Sequence, residues 1–136
     1  MINTLAISKI LAQRIIDATI TSNIGYQNIT YKPPNNAELY IILTEVPGDE
    51  SPSSRTTSKG IFAFNIDVYV EAGTGPVNLK NNVKLIGDLF SPTGTGSRFV
   101  VNTDTVGILK TSEAVGGPAS DGWYYSTVIV ELKVLT

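Results

Sequence analysis

Asp49 and Glu50 stand side by side, two carboxylates of a type that could hold a metal or move a proton, with Arg55 and Lys59 further along the same stretch. Paired carboxylates can ligate a hard cation or divide acid and base roles, but either task needs further ligands or a base held in fixed geometry. All four lie in PGDESPSSRTTSK, residues 47–59, a polar stretch with two prolines, one glycine and no periodicity. That composition is a loop. Asp49 and Glu50 therefore read as surface charge, and no catalytic residue, cofactor or metal is assigned. Arg55 and Lys59 have a second reading, as ion-pair donors to a neighbouring subunit. A connection of about a dozen residues between two strong strands is longer than compact domains keep without a purpose.

Trp123-Tyr124-Tyr125 is the next conspicuous group. Three consecutive aromatics could form a platform for sugar or protein. Strand alternation offers a plainer account, with Tyr124 pointing into the core and Trp123 and Tyr125 on the opposite face, where aromatics favour subunit contacts. Gly73-Thr-Gly75 and Gly94-Thr-Gly96 invite a phosphate-loop reading, but no Lys-Ser/Thr follows Gly75 and the spacing is wrong for a dinucleotide site. Turn chemistry explains them better. Asp67 and Glu71 are carboxylates on one strand face, and nothing in their spacing marks them as an acid–base pair.

What the chain lacks narrows the chemistry further. It has no cysteine and no histidine, which removes thiolate and imidazole ligands, the commonest general base and every Cys/His or Ser/His/Asp nucleophile. The expectation is a protein that is not an enzyme. Ten Lys and Arg against twelve Asp and Glu give a net charge of -2, with the cations scattered singly, so there is no nucleic-acid footprint. The N-terminal MINTLAISKILAQRIID is broken by Lys9, Arg14 and Asp17 and reads as neither signal peptide nor membrane span. Charged residues are only 16% of the chain, where about a quarter is usual, which leaves room for neighbours to cover surface.

The elements that must position these groups follow from periodicity. Residues 4 to about 21 place Ile7, Ile10, Leu11, Ile15 and Ala18 at helical spacing, capped at Asn3 or Thr4 and ended near Gly25, where glycine can turn left-handed. GYQNITYKPPNN is extended at most, because Pro33 and Pro34 cannot donate to a ladder, and reads as an edge or a wrap. ELYIILTEV is a strand with Leu39, Ile41 and Leu43 alternating against Tyr40, Ile42 and Thr44. IFAFNIDVYVEAG alternates without interruption, Phe62, Phe64, Ile66, Val68 and Val70 on one face. The period then changes to Leu79, Val83, Ile86 and Phe90, an amphipathic helix lying on the sheet. Two short strands, FVVN and TVGILK, a long loop SEAVGGPASDG and a final strand WYYSTVIVELKVL complete the chain. At 136 residues this is a single domain, 1–136.

This order, with NITYKPPNNAELYIIL, KGIFAFNIDVYVEAGTGP and NNVKLIGDLFSP in their places, resembles the tail-terminator proteins of long-tailed bacteriophages over essentially the whole chain. The Gly94–Gly96 stretch is longer than that pattern requires. The resemblance implies the α+β class, a mostly antiparallel β-sheet with two α-helices packed on it, and a virion structural protein that forms a homo-oligomeric ring, expected to be a hexamer. Such a ring caps the tail tube, stops its polymerisation and forms the joint to the head. Its partners would be the tail tube protein and the head-tail connector protein, with DNA only as passing cargo in the channel, no membrane and no cofactor. Its place would be the virion tail or neck, and the host cytoplasm during assembly. Protein-interface residues would come from Asp49, Glu50, Arg55, Lys59, Trp123 and Tyr125. Another phage neck component, for tail completion or head-tail joining, is the nearest alternative, and a small carbohydrate-binding module using Trp123, Tyr125 and Tyr69 is the one from another class.

Overall fold

A computed structural model describes residues 4–26, 31–34, 37–46, 58–71, 76–94, 96–101, 104–119 and 122–135. Helix α1 spans Thr4–Asp17 and is followed by strand β1, Ile24–Tyr26, then β2, Leu39–Val46, and β3, Ser58–Glu71. Helix α2, Pro76–Leu89, leads to β4, Arg98–Val101, β5, Asp104–Ala114, and β6, Trp123–Leu135. The six strands form one sheet in the order β1-β2-β3-β6-β5-β4. Only the β1–β2 pair is parallel. β2–β3, β3–β6, β5–β6 and β4–β5 are antiparallel. The α+β architecture that the resemblance implies, built from the helices and strands read from periodicity, is the architecture observed.

Both helices pack on one face of this sheet. Ile7, Leu11 and Ile15 of α1 and Val83 and Ile86 of α2, with Phe90 just beyond it, join Ile41, Leu43, Phe62, Phe64, Ile66, Val68, Val128, Val130, Leu132 and Val134 in one buried cluster. Leu79, the first residue of the α2 stripe, is half-buried against it. Helix α1 and the segment after it reach toward both edges of the sheet: the Arg14 guanidinium lies 4.9 Å from the Phe99 ring on β4, while the Asn23 amide, just before β1, donates to Leu39 O at the start of β2. The strongest ties run through β3 and β6, paired from Ser58↔Leu135 to Glu71↔Trp123.

Four sequence expectations need correction. The first helix stops at Asp17, and the left-handed residue that closes it is Thr19, at φ 56°, not Gly25. Thr19 N donates to Ile16 O at 2.9 Å and Ile20 N to Ile15 O at 3.3 Å, the paired bonds that satisfy the last carbonyls of a helix. Gly25 sits in β1 for a different reason: a Cβ there would lie 2.6 Å from Tyr31 Cγ and 2.8 Å from Ile42 Cδ1, so only glycine lets the Tyr31 ring down onto the sheet. Next, β5 runs through Ala114, so Ser112, Glu113 and Ala114 belong to a strand and not to the loop. A register shift between Ile108 and Lys110 lets that strand continue, pairing Glu113 with Val128 and Ala114 with Thr127.

Lys59 is likewise in a strand. β3 begins at Ser58, and its register against β6 shifts between Ser58 and Gly60. Lastly, Tyr124 is 45% exposed instead of buried. It shares the parity of the core residues and pairs with the buried Val70 near the end of the β3–β6 ladder, but it lies outside the core cluster under the helices. Alternation sets which face a side chain is on, and the length of the covering layer sets whether it is buried.

Candidate interaction surface

The sheet face away from the helices carries a row of aromatic rings. Strand register makes it: Tyr40 on β2 is opposite Tyr69 on β3, which is opposite Tyr125 on β6. Tyr40 and Tyr69 stack at 4.5 Å with planes 4° apart, and Tyr69 meets Tyr125 at 5.6 Å. Trp123 stands edge-on to Tyr40 at 4.7 Å, and Tyr31, settled over Gly25, reaches Tyr40 at 5.8 Å. Five rings from four chain segments thus form one cluster. Each cross-strand aromatic pair contributes up to about 1 kcal/mol beyond simple burial. On the far side, Gly116 lies so close to Tyr125 that an added Cβ would come 2.8 Å from its Cδ2.

All five rings are half-buried. Burial holds the Tyr69 phenol above its usual range, reinforced by the Asp67 carboxylate and by Tyr40 and Tyr125; burial alone raises Tyr31. These tyrosines therefore stay neutral hydroxyls at physiological pH. Asp67, one row further along, accepts a 2.5 Å hydrogen bond from Thr127 Oγ1, which ties β3 to β6 beneath the rings. Asp67 and Glu71 are four residues apart on one strand, a separation of about 13 Å, too far to share a proton or one metal ion. Among the described residues no group of three or more His, Cys, Asp or Glu is placed to hold a metal.

Of the residues singled out in the sequence, Trp123 and Tyr125 lie together on the outer face as alternation required. Asp49, Glu50 and Arg55 lie outside the described residues, as do Asn3 and the Gly73-Thr-Gly75 stretch. Lys59 contributes its backbone to β3. Gly94 and Gly96 are turn residues: Gly94 N donates to Ser91 O, Ser97 N to Gly94 O, and Gly96 has φ 86°. Sequence reasoning missed Tyr31 and Tyr40 as members of the cluster. Pairing Tyr40 with Tyr69 would have exposed it, because both are outward residues near the ends of adjacent strands.

A second feature lies on the helix side. A groove of about 470 Å³ runs between α2 and the ends of β5 and β6, with Lys84, Gly87 and Asp88 on one wall and Thr111, Ser112 and Glu113 on the other. Thr111 is held there by donating to Phe90 O at 2.6 Å. Gly87 faces open space, with nothing within 4 Å of where a Cβ would be.

The fold and this surface define a one-layer sheet with helices on a single side and an unaccompanied aromatic face on the other. The same fold occurs in solved structures. One, which carries no functional description, matches with a TM-score of 0.66 at 15% identity over 98% of this chain and 96% of the other. Another is a chain of the virion of a native gene transfer agent (GTA) particle, with a TM-score of 0.57 at 15% identity over 93% of this chain and 92% of that one. At these identities the likeness is one of fold. No protein-family model matches the sequence, and no curated protein does.

Proposed function

We propose that this chain is a phage-like virion structural protein and, within that class, a tail terminator: a ring that caps the tail tube, ends its growth and meets the head connector. The observation that carries the reading is the end-to-end fold match to a virion chain, 93% of one on 92% of the other, by a sequence whose element order independently resembles terminators. The role is mechanical. It needs two faces for two partners and a contact between copies that closes instead of propagating. A rigid sheet with helices on one side and an open aromatic face on the other offers two chemically different faces. A non-enzymatic role accords with a chain that has no cysteine and no histidine.

Size-exclusion chromatography with light scattering, alone and with purified tail tubes, tests the proposal. A closed ring that binds tube ends is the expected outcome, and a strict monomer that ignores them would sink it. The carbohydrate-binding alternative fares less well on geometry. Sugar platforms present ring faces to the ligand, whereas Tyr40 and Tyr69 turn their faces to each other and leave edges outward. Silence on a glycan array is the expected result.

A further inference from the structure

The outer sheet face is polarised in charge along its length. At the ring-bearing corner stand the carboxylates of Asp67 and Glu71 on β3, and Glu38 just before β2, whose carbonyl accepts from Glu71 N–H at 3.1 Å. Lys32, beside Tyr31, is the cation near that corner. The diagonally opposite corner, on β4 and β5, is basic. Register places Arg98 opposite Gly107 and Gly107 opposite Lys133, with Lys110 opposite Glu131, all on the outer face. Val100 lies two residues along from Arg98 on the same edge strand and is 65% exposed. Among the described residues the basic corner thus holds three cations and one carboxylate, the ring corner three carboxylates and one cation. From Tyr125 to Lys133 along β6 is about 26 Å, so the two patches do not overlap.

Two separate, complementary patches on one chain are what a head-to-tail contact needs, whereas a self-complementary patch would make a closed pair. We propose that the acidic aromatic corner, Glu38, Asp67, Glu71, Tyr40, Tyr69 and Trp123, receives the β4 edge of a second copy of this chain through its Arg98, Val100 and Lys110. The occupant is chosen by charge. A guanidinium entering this corner meets carboxylates, and Arg is the cation best suited to paired hydrogen bonds with them. Val100 adds an apolar contact beside it, and β4 is an edge strand, with no strand among the described residues paired to its outer side. This inference rests on the ring-forming reading above and names the surface through which the ring closes.

A charge swap tests it. Arg98→Glu and Glu71→Arg are each made in the full chain, then combined, and assembly is followed by light scattering at fixed concentration and at two salt concentrations. Both side chains are exposed, so thermal unfolding of the variants should match that of the parent. Each single reversal should weaken assembly roughly tenfold or more, and the double variant should regain most of it, because the like-charge clash is relieved. Raised salt should weaken the parent's assembly. Single variants that assemble like the parent, or a double variant no better than the singles, overturn this contact while leaving the ring reading intact. A parent that is monomeric alone and at tube ends removes both.

Discussion

The two faces of the β3–β6 ladder are made by the same strands, yet they differ in kind. On the helix side Phe64, Ile66, Val68, Val128, Val130 and Leu132 are closed off by α1 and α2. On the other, Tyr69, Asp67, Asn65, Tyr125, Thr127 and Ile129 meet one another across the strands, and among the described residues both helices lie on the opposite face. The first face holds the fold together through apolar area removed from water. The second holds itself together through ring stacking and one carboxylate–hydroxyl bond, and keeps its edges and charges outward. Removing a side chain from the first should unfold the protein, while removing one from the second should first change what it binds.

The largest effect is expected from Phe64→Ala. Phe64 is 2% exposed, and truncating a buried Phe costs about 3–5 kcal/mol, enough to bring a domain of this size near its unfolding limit. Urea unfolding followed by circular dichroism measures it; a loss under about 1 kcal/mol would erase the contrast between the faces. Tyr40→Ala, which takes out the ring that touches Tyr31, Tyr69 and Trp123, should lower stability by only about 1–2 kcal/mol. Equal losses from the two variants would show that the outer cluster is a second core.

Much of the first face was legible in the sequence. β3 and β6 announce themselves because each alternates over a dozen residues, and a strand's period of two needs no tertiary information to be seen. The ring cluster was legible only in part. Trp123 and Tyr125 are adjacent in sequence and on one face, but their joining to Tyr40 and Tyr31 depends on which residue of β2 faces which of β3. That register is set by a hairpin whose connection, residues 47–57, carries no turn signal that would count it out. Tyr124 was misread because parity cannot tell where the helices end, and Gly25 because its value lies in a ring arriving from six residues further on.

A smaller effect separates the faces by pH. Tyr69 has its folded phenol raised above the unfolded value near 10, so the folded state holds its proton more tightly. Its contribution is complete below that value and is lost as pH rises through the folded one. Melting temperature should therefore fall above about pH 10 in step with phenolate absorbance, and Tyr69→Phe should blunt the fall. An unchanged fall in Tyr69→Phe would assign it to other groups. On the helix side, Gly87→Ala should raise stability by roughly 0.5–1 kcal/mol, since a helical glycine is replaced where nothing stands in the way of a methyl group. A decrease would mean that the groove wall is tighter than its open geometry shows. Val115→Ser, at a side chain 90% exposed, should stay within about 0.5 kcal/mol in thermal unfolding. A larger loss would place Val115 in a packed contact.

By itself the sequence determined the class of this protein. Strand and helix periods are local properties readable without contacts, and they delivered the long strands and the two helices. Tertiary structure decided the rest: the strand order that puts β6 between β3 and β5, the parallel edge at β1, the meeting of five rings, and the opposed charges at two corners of one face. Those are pairings between residues far apart in the chain, such as Trp123 on Tyr40 and Thr127 on Asp67, and a pairing exists only once the chain has chosen its register.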